Sequence, residues 1–275
     1  GTQGRSIRDA LLDDVAVAIT KLDLNNPKAV NDFLRNLSKP TLWDYLMELY
    51  YNSILSGPKT QIVNEVSNAV NSLASPLERL AAAGVESVLA PLQGRQAARV
   101  FSEVPADAFG AIEGIKEGVR AALATMRDGI TPGAASKWEF RRTAFRGKLG
   151  RIIRAPGTAL EAADAMNFAI NYRAAFNADV VRQAKGEGLR GLELIDRVAQ
   201  LKVKPTEGLI KEASKTAEYR LFRQDLGPFM QDIMKLRNIR IGGERYYVEP
   251  LRVVVPFLRT PVNLLKFGLE RSPVG

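Results

Sequence analysis

The side chains that could do chemistry are limited from the outset, because none of the 275 residues is cysteine or histidine. That excludes a disulfide framework, a thiol nucleophile, a serine–histidine–aspartate triad and a Cys/His zinc site. A metal would have to be held by carboxylates and carbonyls, which suits only hard ions. Two stretches nevertheless match reactive patterns letter for letter. Ser56-Gly57-Pro58-Lys59 has S-x-x-K spacing, which works only when both side chains share one helical turn, so that the amine can act on the hydroxyl. The intervening Gly-Pro argues instead for a turn between two helices, with Gly57 and Pro58 as its structural residues. Gly186 to Gly191 (GEGLRG) reads G-x-G-x-x-G. A dinucleotide site needs that loop to leave a strand and open a helix. Here a long helical stretch precedes it, so the glycines are expected to end one helix and turn into the next. The pairs Glu161/Asp164 and Glu193/Asp196 each share a helix face and read as surface charge or support for a nearby arginine. No catalytic residue, metal ligand or cofactor is expected.

Glu86-Ser87 resembles the Glu-Ser pair of lytic transglycosylases, in which one glutamate serves as general acid and base. The G-L-M-Q-like segment that follows in those enzymes is missing, and Gln93-Gly94-Arg95-Gln96 does not replace it. A solvated helix residue is the competing reading.

Charge carries a stronger signal. The formal net charge is +9, and 137–154 (KWEFRRTAFRGKLGRIIR) holds seven cations against the single acid Glu139. Lys137, Arg141, Arg142, Arg146, Lys148, Arg151 and Arg154 are therefore the candidate contacts to DNA, anionic lipid or an acidic protein, with a solvated basic face as the alternative. Trp138, Phe140 and Phe145 interleave with them, as anchors of an amphipathic helix or as stacking groups. Toward the C-terminus, Leu264, Leu265, Phe267 and Leu269 lie beside Arg259, Lys266 and Arg271. Such a segment packs within its own chain, docks in a neighbour's groove or lies on a membrane surface.

The elements that must position these residues are helical. Asn26-Pro27, Ser75-Pro76, Thr131-Pro132 and Thr260-Pro261 place a capping residue before a proline, the signature of a helix start. Ser75-Pro76-Leu77-Glu78 is also a capping box. Leu11, Val15, Ala18 and Leu22 share a face, and Val63, Val66, Val70, Leu73, Leu77 and Leu80 alternate threes and fours as a packed seam. Pro76 is expected to divide that run into two helices. Phe168, Tyr172, Phe176 and Val180 form a stripe on a helix over 158–185, with others over 106–127, 189–202, 206–223 and 228–237. The pattern predicts an all-α bundle of about eight to ten helices, with a short β-hairpin near 238–248 around a Gly-Gly pair. A seam at 128–133 suggests an N-terminal half, 1–128, and a C-terminal half, 129–275. No run reaches the ~18 apolar residues of a membrane span; 80–92 comes nearest and Glu86 interrupts it. A start at Gly1-Thr2-Gln3-Gly4 and an end without helix-closing residues read as a piece of a longer polypeptide.

Three blocks resemble one family. WDYLMELYYNSILSGPKTQIVN (43–64) resembles the I-L-S-G-P-x-T-x-x-V-N segment of very large tailed-phage virion proteins, the internal, ejected or DNA-transfer proteins. ALEAADAMNFAINYRAAFNADVVRQAKGEG (159–188) is similar to a helix of the same proteins, and VVVPFLRTPVNLLKFGLERSPVG (253–275) to their P-F-x-R-T-P-x-N ending, in which Thr260 and Pro261 would cap a helix. The resemblance implies a structural, non-enzymatic helical domain carried inside the capsid and delivered into the host envelope with the genome. It would form a homo-oligomer and meet the portal or other virion proteins, DNA, or the host membrane surface. A DNA-binding accessory module and a peptidoglycan-cleaving transglycosylase are the alternatives.

Overall fold

The computed structural model describes Thr20 and residues 40–95, 97, 99–128, 143–243 and 247–270. The apolar face at 11–22 and the helix starts at Asn26-Pro27 and Thr131-Pro132 lie outside the described residues. The described chain is all-α. Its nine helices are α1 (Leu42–Leu55), α2 (Pro58–Leu92), α3 (Glu103–Asp128), α4 (Gly147–Gly186), α5 (Gly191–Val203), α6 (Glu207–Arg220), α7 (Pro228–Arg237), α8 (Pro250–Val254) and α9 (Arg259–Glu270). Between α7 and α8, β1 (Ile241–Gly242) pairs antiparallel with β2 (Tyr247–Val248), Ile241 opposite Val248, where a hairpin is expected.

Local chemistry explains most of the boundaries. Thr41 and Asp44 form a reciprocal capping box at the start of α1, with Asp44 N–H donating to Thr41 Oγ1 at 3.3 Å and Thr41 N–H to Asp44 Oδ2 at 2.8 Å. Ser56 caps the C-terminus of α1, Gly57 caps α2 in extended conformation, and Pro58 fills the first helical position, where a missing N–H costs nothing. The expected Gly57-Pro58 turn is therefore present. Gly186 ends α4, and Gly188 and Gly191 adopt positive φ on the way into α5, a helix-to-helix turn as expected of GEGLRG.

One expected helix start is corrected, and at a second the helix starts as expected but with a different cap. Pro76 does not divide the run: it lies within the 35-residue α2, with Ser75 buried. One proline removes a single backbone donor, and the turns on either side remain docked along the same neighbours. At the C-terminus, α9 begins at Arg259, and the first helical bond runs from Val262 N–H to the Leu258 carbonyl. Thr260 and Pro261 sit within the first turn rather than capping it.

The core is built on α4, about 60 Å long at 1.5 Å per residue. Phe168, Tyr172 and Phe176 stack in sequence along it at 6.2 and 6.0 Å. Phe176 and Val180 join Ala184, Leu201, Leu209 and Ala213 in the main apolar cluster, which ties α4 to α5 and α6. Against the other side of α4 lies α3, whose inward face carries Gly110, Gly114 and Gly118. A Cβ on Gly110 would stand 2.3 Å from the Arg173 carbonyl oxygen, and one on Gly114 2.8 Å from Ile170 Cα. Only glycine permits this approach, the small-x-x-x-small packing familiar from membrane helices. The α3–α4 pairing crosses the expected 128/129 division, so the two sides of that boundary share one interface.

Candidate functional site

The polar side chains of α2, α3, α4 and α6 converge on a buried charge cluster between the helices. Arg79 Nη1 donates to Glu103 Oε2 at 2.7 Å, and Arg79 Nε stands 2.8 Å from Asp107 Oδ1 as an ion pair without hydrogen-bond alignment. Arg220 Nη2 donates to Asp107 Oδ1 at 2.7 Å. Arg182 Nη2 lies 2.9 Å from Asp179 Oδ1, and Arg99 Nη1 lies 3.3 Å from Glu103 Oε2. Glu103, Asp107, Asp179, Arg79 and Arg220 are all buried. Burial raises the Asp179 carboxyl above its ordinary value, against the opposing pull of Arg182 and Arg79. Burial likewise lowers the Arg220 guanidinium, against Asp107. Every acid in the cluster faces at least one guanidinium, so the arrangement holds helices in register rather than offering a ligand site. Among the described residues no group of His, Cys, Asp or Glu could hold a metal ion.

A second polar site links α1 to the start of α4. Glu48 is buried and accepts from Ala144 N–H at 2.5 Å, Phe145 N–H at 3.0 Å and Arg154 Nη1 at 2.5 Å. Arg154 also donates to the Phe145 carbonyl at 2.9 Å. It is therefore corrected from a candidate nucleic-acid contact to an internal clamp. Arg146, Lys148 and Arg151 are exposed at the N-terminal end of α4, while Lys137, Arg141 and Arg142 lie outside the described residues. Phe145 packs edge-on against Tyr45 at 4.9 Å, so one interleaved aromatic anchors the basic segment to the core.

The C-terminal segment divides its faces. Asn263 is buried and donates to the carbonyls of Phe222 and Gln224 at 3.0 and 2.8 Å, and Phe267 meets Phe222 edge-on at 4.8 Å. Phe222 closes α6 with φ of +56°, a left-handed cap in which Arg223 N–H reaches the Glu218 carbonyl. Leu264, Leu265 and Leu269 stay exposed. Upstream, Tyr50 Oη donates to the Val253 carbonyl at 2.6 Å and Tyr51 Oη to the Pro256 carbonyl at 3.1 Å. The blocks 43–64 and 253–275 are thus neighbours in space.

The motif matches acquire ordinary explanations. Ser56 Oγ donates to the Ser53 carbonyl at 2.8 Å, and a helix boundary separates it from Lys59. Glu86 accepts from Arg95 Nη1 and Nη2 at 2.7 and 3.0 Å, so its carboxylate is held in a bidentate ion pair between the end of α2 and the following turn. Asp164 is buried and accepts from Asn64 Nδ2 at 3.4 Å, a correction to its reading as surface charge. An open cleft of about 500 Å³ is lined by Ile112, Glu113, Lys116, Glu117, Arg173 and Lys202. Both of its acids are paired within it: Arg173 forks onto Glu117 at 2.6 and 2.5 Å, and Lys202 Nζ lies 3.4 Å from Glu113 Oε2. Donation from Asn177, helped by Lys202, lowers the Glu113 carboxyl.

The largest departure from expectation is the orientation of α2. Its spacing predicts a seam that packs inward, yet Val63, Val66, Val70, Leu77 and Leu80 are between 46% and 67% exposed. Asn68, Asn71, Ser75 and Arg79 are buried on the opposite side. Asn171 on α4 donates to Ser72 at 3.0 Å, and Asn71 reaches the Arg220 carbonyl. α3 repeats the arrangement, burying glycines and acids while Phe109, Ile112, Val119, Leu123 and Met126 face out. Sequence reasoning missed both inward faces; the twice-repeated G-x-x-x-G at 110–118 was the one available signal for α3. No described helix is long and apolar enough to cross a membrane.

Compared with protein families, curated proteins and solved structures, the chain matches none of them.

Proposed function

We propose that this chain is a structural, non-enzymatic helical segment of a tailed-phage internal or ejection protein, assembling in several copies near the portal and helping to pass DNA across the host envelope. The observation that carries the assembly half of this reading is the inverted polarity of α2 and α3. Soluble monomers rarely expose contiguous apolar patches beyond a few hundred Å². Here two long helices turn apolar stripes outward while their polar faces are consumed internally. The phage half rests on the resemblance of the blocks at 43–64, 159–188 and 253–275. In the fold these blocks meet each other, through Tyr50 and Val253 and through Asn64 and Asp164.

Light scattering at about 50 mM and about 500 mM salt, with and without duplex DNA, tests the reading, since phosphate contacts weaken steeply over that range. The expected result is a discrete oligomer that forms without DNA and survives high salt. A monomer that gains mass only with DNA at low salt would overturn it in favour of a nucleic-acid-binding module. The exposed Arg146, Lys148 and Arg151 favour that second reading. The location is tested on purified particles, where the protein should resist protease until ejection is triggered and then fractionate with the host envelope.

A further inference from the structure

We infer that the outward seam of α2 is a two-fold interface with a second copy of this chain, the two α2 helices running antiparallel about a centre between residues 71 and 72. The inference rests on the assembly reading above and names the surface and partner that it requires.

The seam positions 63, 66, 70, 73, 77 and 80 alternate threes and fours without interruption, the 3.5-residue period of a coiled-coil stripe. In an ordinary amphipathic helix that stripe faces the core. Here the core takes the opposite side, through Asn68, Asn71, Ser75 and Arg79, and leaves Val63, Val66, Val70, Leu77 and Leu80 to solvent.

The spacing selects the partner. Reversing the order of the seam returns the same spacing, because each pair of positions symmetric about the centre sums to the same number. An antiparallel copy therefore sets the valines at 63 and 66 opposite the leucines at 80 and 77. Each of these layers then joins one valine to one leucine. A parallel copy would instead stack valine on valine at one end and leucine on leucine at the other. Self-complementarity under a two-fold axis is the defining property of an isologous interface. The flanking positions Ser67, Ala69, Ala74, Pro76 and Ala81 carry no charge and no long side chain, so a second copy meets no like-charge repulsion there. Glu65 is turned back toward α4, where it accepts from Asn167 Nδ2 at 3.2 Å.

The seam from Val63 to Leu80 spans about 26 Å. With a helix roughly 10 Å across it covers about 260 Å², about a third of the ~800 Å² per partner of a standard interface, so it forms the centre of the contact and the surface around it supplies the rest.

The absence of cysteine allows a clean test on the whole chain. In the proposed register, positions 66 and 77 of opposite copies share a layer. Each position lies about 16 Å from its own equivalent, far beyond the ~7 Å Cα separation that a disulfide tolerates. The chains V66C and L77C are prepared separately, each is oxidised alone, and the two are then oxidised as a mixture. The expected result is a disulfide-linked dimer in the mixture and none from either chain alone. In parallel, V66E should weaken the wild-type association at least about 30-fold, as truncation of a central interface residue does. V66E/L77K should restore it, because the opposite charges then meet across each layer. Cross-linking of V66C with itself would replace the antiparallel register by a parallel one and overturn the proposal. An oligomer that tolerates V66E and shows no mixture-specific cross-link would overturn the seam while leaving the assembly reading in place. A wild-type monomer at all concentrations would overturn both.

Discussion

Replacing Gly110 with alanine should destabilise the protein, although the same change in an open helix stabilises it. Gly110 lies on the inward face of α3, where the added Cβ would sit 2.3 Å from the Arg173 carbonyl oxygen and 2.9 Å from Ala174 Cα. Both are backbone atoms of a helix fixed on its far side by the Phe176–Val180 cluster, so neither can rotate out of the way. Relief requires α3 and α4 to separate by the better part of an ångström, which also loosens the packing at Gly114 and Gly118. Overpacking of this kind costs about 1–3 kcal/mol, occasionally more. The gain in helix propensity from glycine to alanine returns about 1 kcal/mol. A 2.3 Å contact with backbone belongs at the upper end of that range, so the net expectation is a loss of roughly 2 kcal/mol, or a fall in Tm of about 3–4 °C for a chain of this size. Gly84 supplies the control: it lies inside α2, and nothing stands within 4 Å of its added Cβ. Gly84→Ala should raise Tm by a few degrees at most. Thermal unfolding followed by circular dichroism reads both. If Gly110→Ala matched or exceeded wild type, the close α3–α4 approach would be wrong. Equal shifts in both variants would mean that only propensity is being measured.

Other perturbations address other parts of the molecule. Glu48→Ala removes the acceptor shared by Arg154 and two backbone N–H groups, and should cost about 3–5 kcal/mol, less whatever solvent returns to partly exposed Arg154. A urea midpoint within error of wild type would refute the clamp. Asp179 has its carboxyl raised by burial, so its proton-linked stabilisation is full below the ordinary aspartate range and is lost as pH rises through the raised native value. The stability of wild type relative to Asp179→Asn should therefore shrink as pH rises from the ordinary aspartate range upward; growth in that direction in denaturant titrations would reverse the assignment. If the basic segment meets DNA, replacing Arg141, Arg142, Arg146 and Arg151 with glutamine should weaken binding. It should also flatten the log–log salt slope by up to about 0.9 for each phosphate that is no longer neutralised. An unchanged slope would remove DNA from that surface.

The positions of the helices were legible from local signals. The Gly-Pro turn at 57–58, glycines at 186–191 and apolar period over 228–237 act within one or two turns of backbone, and the structure places boundaries there. The stripe from Phe168 to Val180 was equally readable, since a long helix with aromatics at intervals of four needs only one neighbour to bury them. Local signals failed where distant groups decide the outcome. Ser75-Pro76 carries every mark of a helix start, yet α2 runs through it, because the turns on both sides are held by Asn71, Ser72 and Arg79 through partners about a hundred residues away or on other helices. The seventh cation of the basic segment, Arg154, was indistinguishable in sequence from its neighbours until Glu48 met it across 106 residues.

The sequence by itself determined that α2 and α3 are amphipathic, because periodicity is a property of one helix. Which face turns inward was decided only by the tertiary structure. Polar residues can fill an interior when each finds its partner, and that condition depends on several helices at once. Arg79 needs Glu103 and Asp107 on α3, and Asp107 needs Arg220 on α6. The glycines of α3 bring α4 close enough to deliver Asp179 and Arg182 to the same place. With the polar faces consumed there, the apolar stripe of α2 is left on the outside.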